Sequence, residues 1–127
     1  MSSRRVVITG VGMVSPLGED VKTSWDAMLK GRSGISRITS FDVAEHSVKI
    51  GGQIPDFDLS NYLSPKESKR MDDFIRLGLV AGIQAVSDSE IDSSAVDFKR
   101  IGVSIGSGIG GINTIETCRD IVVNKGP

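Results

Sequence analysis

Two stretches of the chain are apolar without polar alternation, a pattern typical of strands that are buried on both faces of a parallel sheet. They cover residues 4–9 and 100–106, and a glycine terminates each of them. A shorter stretch at residues 48–54 alternates around two glycines and is closed by Pro55, which predicts a minor strand. The polar, mixed residues 32–47 between these stretches predict a loop.

Three segments have the apolar spacing of an amphipathic helix. The first follows a capping residue, Asp20 or Thr23, and stops at Lys30 and Gly31; its apolar positions are Val21, Trp25, Met28 and Leu29. The last is predicted after the glycines near residue 111 and is defined by Ile112, Ile115, Arg119 and Val122.

The middle helix has the clearest start signal. Ser64 and Glu67 form a capping box with Pro65 at the first helical position. Apolar residues then recur at helical spacing from Met71 to Val86, so one long helix is expected to start at the capping box and end near Val86. Gly78 and Gly82 lie within its apolar face, where glycine is costly unless another backbone packs closely against it. The pattern therefore predicts a buried, tightly packed helix, followed by a polar loop at 87–97.

Strands alternating with helices indicate an α/β fold with a parallel or mixed sheet and packed helices. Two strong strands and one weak one are too few to cover both faces of such a sheet. We therefore expect an incomplete architecture, although 127 residues is near the usual size of one domain.

Composition excludes several classes of protein. The apolar runs are far shorter than the ~20 residues of a membrane span, and the first residues do not resemble a secretory signal. A net charge of −1 and six aromatic residues give little support for nucleic-acid binding. One cysteine cannot form an intramolecular disulfide. We expect a cytoplasmic chain that binds neither nucleic acid nor membrane.

Glycine is unusually frequent, at 15 residues, and it is clustered. The segment Gly106-Ser-Gly108-Ile-Gly110-Gly111 matches the dinucleotide fingerprint G-x-G-x-x-G between a predicted strand and a predicted helix. The ribose-binding acid expected about 20 residues later would lie beyond residue 127. Three interpretations stay open: a dinucleotide site, tight turns with close backbone passage, or the lining of another kind of pocket.

A similar segment at residues 10–15 fails as a nucleotide site because Pro16 would fall inside the following helix.

Lys66, Lys69 and Arg70 are spaced to share one helix face, where they could attract an anionic partner or be merely solvated. Cys118 has no histidine nearby in the sequence, so a helix-packing role is expected for it and no nucleophilic one. His46, the single histidine, lies in a polar loop and is expected to be exposed. No metal-binding constellation is evident.

Four segments, in order and spacing, resemble the β-ketoacyl-[acyl carrier protein] synthases, which have the thiolase fold. They are Arg4-Arg-Val-Val-Ile-Thr-Gly-Val-Gly-Met-Val-Ser-Pro-Leu-Gly18, Gly31-Arg-Ser-Gly-Ile35, residues 66–75, and Arg100-Ile-Gly-Val-Ser-Ile-Gly-Ser-Gly-Ile-Gly-Gly111. The glycine-rich segment and Ser15-Pro16 are most similar to the type II elongating enzymes. Because members are several times longer, the resemblance implies that residues 1–127 are an N-terminal fragment of the first thiolase-like repeat.

The resemblance implies decarboxylative condensation of an acyl thioester with malonyl-acyl carrier protein by a homodimeric enzyme without a cofactor. The family's nucleophilic cysteine, in a Thr-Ala-Cys-type motif, and its two histidines have no counterpart here, so no catalytic residue is assigned and the fragment itself is expected to be inactive. Ile109, with Gly108 beside it, resembles the position that faces the fatty-acyl tunnel. Lys66, Lys69 and Arg70 resemble the patch that docks the acyl carrier protein.

Overall fold

The computed structural model describes residues 4–92 and 94–126. In chain order the elements are α1 (Val21–Leu29), β1 (Ile35–Arg37), β2 (Ile50–Gly52), α2 (Pro65–Ser68), α3 (Asp73–Asp88), a 3₁₀ helix (Phe98–Arg100) and α4 (Ile112–Lys125). The chain divides into two compact units. The first contains the described residues up to Asp58 together with Val80–Ile91, and the second contains Leu59–Leu79 and the described residues from Asp92 onward.

In the first unit the N-terminal segment, residues 10–13, lies directly on the backbone of α3. A Cβ atom built on Gly12 would lie 1.9 Å from the carbonyl oxygen of Ala81, and one built on Gly10 would lie 2.1 Å from that of Ala85. No side chain fits at either distance. The close backbone passage expected of the glycines is therefore confirmed at these two positions.

Hydrogen bonds hold the same segment in place. The Val11 amide donates to Asp88 Oδ2 at 2.8 Å, and the Met13 amide donates to Gln84 Oε1 at 3.0 Å. The Gln84 amide group also donates to the carbonyl of Glu19 at 2.7 Å. Side chains of α3 thus satisfy backbone groups that a neighbouring strand would otherwise satisfy.

The prediction of α1 is confirmed. Asp20 caps it by accepting from the Thr23 amide at 2.6 Å, and the Thr23 hydroxyl in turn accepts from the Asp20 amide. The helix ends at Lys30, and Gly31 follows with φ +66, a left-handed conformation that suits glycine. Ser24 is buried on this helix, and its hydroxyl lies 2.8 Å from that of Ser15.

The sheet differs from the prediction. β2 confirms a minor strand within residues 48–54, and it pairs antiparallel with β1, which lies in the stretch predicted as loop. Ile35 is opposite Gly52 in this register. A strand of three residues is too short for periodicity to reveal, so the loop prediction was wrong at 35–37.

The two predicted parallel strands are also absent from the described residues. Segments 4–9 and 100–106 form no ladder there, and their side chains are exposed, with Val6 at 92% and Val103 at 82% of full exposure. Burial on both faces was therefore wrong for these residues. Apolar sequence favours a strand but supplies no hydrogen-bonding neighbour, and a ladder needs one.

The middle helix is divided in two. The capping box at Ser64 and Glu67 is confirmed, but α2 ends at Ser68 and α3 begins only at Asp73. Between them the Arg70 amide donates to the carbonyl of Glu67, a three-residue hydrogen bond that tightens the turn. No glycine or proline marks this turn, and the apolar spacing of α3 already begins at Met71 within it, so the sequence concealed the break.

The burial predicted for α3 was wrong as well. Val80 is fully buried, but the other apolar side chains of this helix are half-buried or exposed. Cβ positions on Gly78 and Gly82 have no described atom within 4 Å. The N-terminal segment contacts α3 at Ala81 and Ala85. The glycines that permit this contact are Gly10 and Gly12 of that segment, and not the glycines of the helix.

Candidate functional site

The sequence singled out two features, and both lie in the second unit. One is the basic cluster, defined as Lys66, Lys69 and Arg70. The other is the glycine loop, defined as residues 106–111, which contains Gly108 and Ile109. The turn that separates α2 from α3 and the start of α4 position these two features.

The basic cluster extends from α2 into the turn that follows it. Lys66 lies in α2, Lys69 is its C-terminal cap, and Arg70 is in the turn. All three side chains are exposed, and none forms an ion pair with another residue in the described part of the chain. Arg76 differs, because it is paired with Asp73 and its guanidinium also donates to the Ser68 hydroxyl at 3.4 Å. Among the described residues, the cluster thus presents three exposed cations that are not held in ion pairs.

The capping box fixes the start of α2 and therefore the direction of its side chains. The Ser64 hydroxyl accepts from the Glu67 amide at 3.3 Å and donates to the Glu67 carboxylate at 2.5 Å, and the Ser64 amide donates to the same carboxylate at 3.1 Å. These donors, the hydroxyl first and the amide second, lower the pKa of Glu67 below its ordinary value of 4.5. The Glu67 carboxylate therefore stays ionised at neutral pH, and the capping box stays formed.

The glycine loop is open at one end and anchored at the other. Cβ positions on Gly106 and Gly108 have no described atom within 4 Å, and the side chain of Ile109 is 72% exposed. A Cβ on Gly110, by contrast, would lie 2.7 Å from Cζ of the Phe74 ring. Gly111 has φ +68 and caps the N-terminus of α4 without a side-chain hydrogen bond.

Asp72 joins the starts of two helices. Its backbone carbonyl accepts from the amides of Ile75 and Arg76 at 3.0 and 3.2 Å in the first turn of α3. The Thr114 hydroxyl, in the first turn of α4, donates to Asp72 Oδ1 at 2.6 Å. The other carboxylate oxygen faces Gly111, whose Cβ position lies 2.8 Å from it. No sequence signal indicates this contact, because its partners are 42 residues apart and Asp72 resembles any surface acid.

The position of Asp72 argues against the dinucleotide hypothesis. In such sites the pyrophosphate occupies the N-terminus of the helix after the glycine loop, where the amides and the helix dipole favour negative charge. Here the Asp72 carboxylate lies at the N-terminus of α4 and would repel a phosphate. The electrostatics of the site therefore do not support dinucleotide binding at residues 106–111.

Cys118 is exposed, so the prediction that it packs between helices was wrong. It lines a shallow cavity of about 290 Å³ together with Asp72, Asn113, Thr114 and Thr117. This lining contains no histidine and no cation of the kind that activates a thiol. His46 is exposed, as predicted, and belongs to the first unit, where its ring lies 5.8 Å from that of Phe41 in an edge-on arrangement.

Within residues 4–92 and 94–126, no three His, Cys, Asp or Glu side chains are grouped closely enough to bind a metal ion. Nor does any described helix have the length and apolar character needed to cross a bilayer.

Comparison with known proteins gives consistent matches. Residues 3–125 match the family model described as the N-terminal domain of β-ketoacyl synthase. The chain is 48% identical over all its 127 residues to 3-oxoacyl-[acyl-carrier-protein] synthase 2 of Vibrio harveyi. It is 44% identical over 125 residues to the protein of the same name from Staphylococcus aureus strain COL.

The fold also has a solved counterpart. The ishigamide ketosynthase/chain length factor superposes with a TM-score of 0.64 at 28% identity, covering 73% of this chain and 23% of that one. The thiolase-like α/β fold class predicted from the sequence is thereby confirmed. The chain spans about 31% of the length of the Vibrio harveyi relative and about 30% of the Staphylococcus aureus one.

Proposed function

Because the chain belongs to the β-ketoacyl synthase family, whose N-terminal domain it matches, we propose that it forms the N-terminal part of an elongating 3-oxoacyl-[acyl-carrier-protein] synthase. The observation that carries this proposal is the 48% identity over the entire chain to an enzyme of that name. The enzyme is a transferase of fatty acid biosynthesis, with acyl carrier protein as partner and acyl and malonyl thioesters as substrates.

The reaction proposed for the whole enzyme has two stages. An acyl group moves from the thiol of acyl carrier protein to an enzyme cysteine, forming a new thioester and releasing the carrier thiol. Malonyl-carrier then loses CO₂, and the resulting carbanion attacks the acyl thioester, so that a carbon–carbon bond forms and the enzyme thiolate leaves. The acyl chain grows by two carbons.

We assign none of this covalent chemistry to the described residues. Cys118 is exposed beside Asp72 and two threonines, and the cavity that it lines contains no histidine and no cation. A nucleophilic thiol requires a base or an electropositive site. The chain contributes substrate and partner contacts, and the thiol and the proton-transfer groups come from elsewhere in the enzyme.

The basic cluster is the surface proposed to dock the carrier. Its three side chains are exposed and form no ion pair among the described residues, and the capping box fixes the start of α2, which carries Lys66 and leads into the turn with Lys69 and Arg70. Cations displayed in this way attract an acidic helix and accelerate its approach. The glycine loop is the proposed acyl contact: Ile109 presents an exposed apolar side chain, and Gly108 beside it leaves space for a substrate chain to pass.

The family resemblance also supports a homodimer in the cytoplasm. Sedimentation of the full-length enzyme at the mass of two subunits would agree with this assembly, and sedimentation at the mass of one would contradict it.

A chimaeric enzyme tests the central proposal. The chain replaces the matched segment of the Vibrio harveyi relative, and condensation is measured from acyl- and malonyl-carrier protein. We expect a folded, active enzyme, because the identity extends over the whole replaced segment. A folded chimaera that does not condense, beside an active parent enzyme, would contradict the proposal.

Charge reversal tests the docking surface in the same chimaera. Reversing Lys66, Lys69 and Arg70 to Glu is expected to weaken carrier binding and to reduce its dependence on salt. The matched control reverses three exposed cations of the first unit, Lys30, Arg32 and Arg37, which changes the net charge equally. Unchanged affinity in the first variant, or an equal loss in the control, would remove the assignment.

A further inference from the structure

We propose that Asp72 is a positioning residue that holds the glycine loop and thereby sets the enzyme's discrimination between acyl chains of different length. The inference rests on the proposed function, because it takes Ile109 to contact the acyl chain. It concerns a residue outside both the basic cluster and the loop.

Asp72 connects the starts of two helices. Its carbonyl begins the hydrogen-bonding of α3, and its carboxylate accepts the Thr114 hydroxyl at 2.6 Å in the first turn of α4. A hydrogen bond to a charged acceptor is among the stronger ones in proteins. The glycine loop leads directly into α4, so this bond fixes the point to which the loop is attached.

The last two residues of the glycine loop lie against Asp72 and Phe74. Gly111 adopts φ +68, and its Cβ position is 2.8 Å from Asp72 Oδ2, so the carboxylate lies against the backbone at this point. Gly110 lies against the ring of Phe74, which is two residues after Asp72. Both contacts come from one short segment at the start of α3.

The rest of the loop lacks such support within the described residues. Cβ positions at Gly106 and Gly108 are open, and the side chain of Ile109 is exposed. Ile109 immediately precedes the anchored Gly110, so the direction of its side chain depends on where Asp72 and Phe74 hold that anchor. Loss of the Asp72 contact would allow Ile109 to shift.

Such a shift should alter selectivity more than overall rate. One methylene group in an apolar pocket changes discrimination by about ten- to 200-fold. A displaced Ile109 changes the space only for acyl chains that are long enough to reach it. A general loss of stability would instead reduce activity toward all chain lengths together.

The experiment compares paired variants in the chimaeric enzyme. Thr114→Val removes the hydroxyl and keeps the shape of the side chain, whereas Thr114→Ser keeps the hydroxyl. Asp72→Ala removes the acceptor, whereas Asp72→Asn keeps an acceptor oxygen without the charge. kcat/KM is measured with acyl-carrier proteins of short and long chain length, and hydrogen exchange is measured over residues 106–111.

Thr114→Val and Asp72→Ala are expected to change the ratio of long-chain to short-chain kcat/KM by about three- to tenfold. They should also speed exchange in the glycine loop, while carrier affinity is unchanged. Thr114→Ser should stay near the parent ratio, and Asp72→Asn should fall between.

An active chimaera whose selectivity ratio and loop exchange are unchanged in both Thr114→Val and Asp72→Ala would overturn the positioning role. An equal loss for all chain lengths would overturn it too. These outcomes differ from failure of the proposed function, which would appear as an inactive unsubstituted chimaera.

Discussion

Replacing Gly12 by alanine tests the packing of the N-terminal segment on α3. The new Cβ would lie 1.9 Å from the Ala81 carbonyl oxygen and 2.7 Å from the Ala85 amide nitrogen. Both atoms belong to a helix backbone and cannot rotate away. The segment must therefore move off α3. The matched control is Gly82→Ala, a substitution on the same helix at a position with no described atom within 4 Å.

The magnitude follows from two contributions. Forcing an extra carbon into a packed contact costs about 1–3 kcal/mol. Moving the segment also strains the bonds from the Val11 and Met13 amides to Asp88 and Gln84, each worth about 0.5–1.5 kcal/mol. We expect Gly12→Ala to lower the free energy of unfolding by about 2–4 kcal/mol. Gly82→Ala should raise it by about 0.5–1 kcal/mol, because alanine favours the helix.

The assay is urea unfolding of the 127-residue chain, followed by circular dichroism and by fluorescence of Trp25, which lies in the first unit with both glycines. With a slope of about 1–3 kcal/mol per molar urea, the midpoint of Gly12→Ala should fall by about 1 M or more. A Gly12→Ala chain as stable as the parent would refute the close approach. An equal loss in Gly82→Ala would refute the assignment of the effect to this contact.

Further predictions concern the caps, the thiol and the dinucleotide hypothesis. Hydrogen bonds from Thr23, first from its amide and then from its hydroxyl, lower the pKa of Asp20 in the folded chain below its ordinary value of 3.8. The stabilisation that this cap contributes is therefore complete above pH 3.8 and is lost as the pH falls through the pKa of Asp20 in the folded chain. Asn at position 20 still caps the helix but does not titrate. In Asp20→Asn, the free energy of unfolding in urea should therefore differ less between about pH 3 and about pH 6 than it does in the parent chain. An equal difference in both chains would contradict this prediction. Ser64→Ala should destabilise α2 by about 1 kcal/mol, seen as faster amide exchange at residues 65–68, with Ser64→Thr as the conservative control. Cys118 should react stoichiometrically with a thiol reagent in the folded chain, since it is exposed, yet it should accept no acyl group from acyl carrier protein, and Cys118→Ala should abolish the first reaction. Calorimetric titration with NADH should show no saturable binding, whereas micromolar affinity would revive the dinucleotide site.

Local signals in the sequence predicted the starts of α1, α2 and α4. The capping box at Ser64 was identifiable because it depends on residues only three positions apart, whereas the sequence left the cap of α1 open between Asp20 and Thr23. The end of α1 at Lys30 and the beginning of α4 near Ile112 followed from similarly local chemistry. The break between α2 and α3 was missed, because no glycine or proline marks the turn and the apolar spacing of α3 already begins at Met71 within it.

Predictions that required a distant partner succeeded less often. β1 escaped notice, since its three residues acquire strand geometry only by pairing with β2. The segments at 4–9 and 100–106 have strand-like sequences, yet they form no ladder among the described residues. Cys118 looked like a packing residue on its helix, and only the position of that helix shows the thiol to be exposed.

The sequence by itself determined the family, the residues of the basic cluster and the presence of Ile109 in a glycine-rich loop, because motifs and spacing are properties of the linear chain. The tertiary structure decided which glycines lie against another backbone and which residues anchor the glycine loop. Gly12 lies against Ala81, 69 positions later in the chain, and Asp72 accepts a hydrogen bond from Thr114, 42 positions away. Residues so far apart in sequence meet only when the chain folds back on itself, and no local pattern encodes that packing.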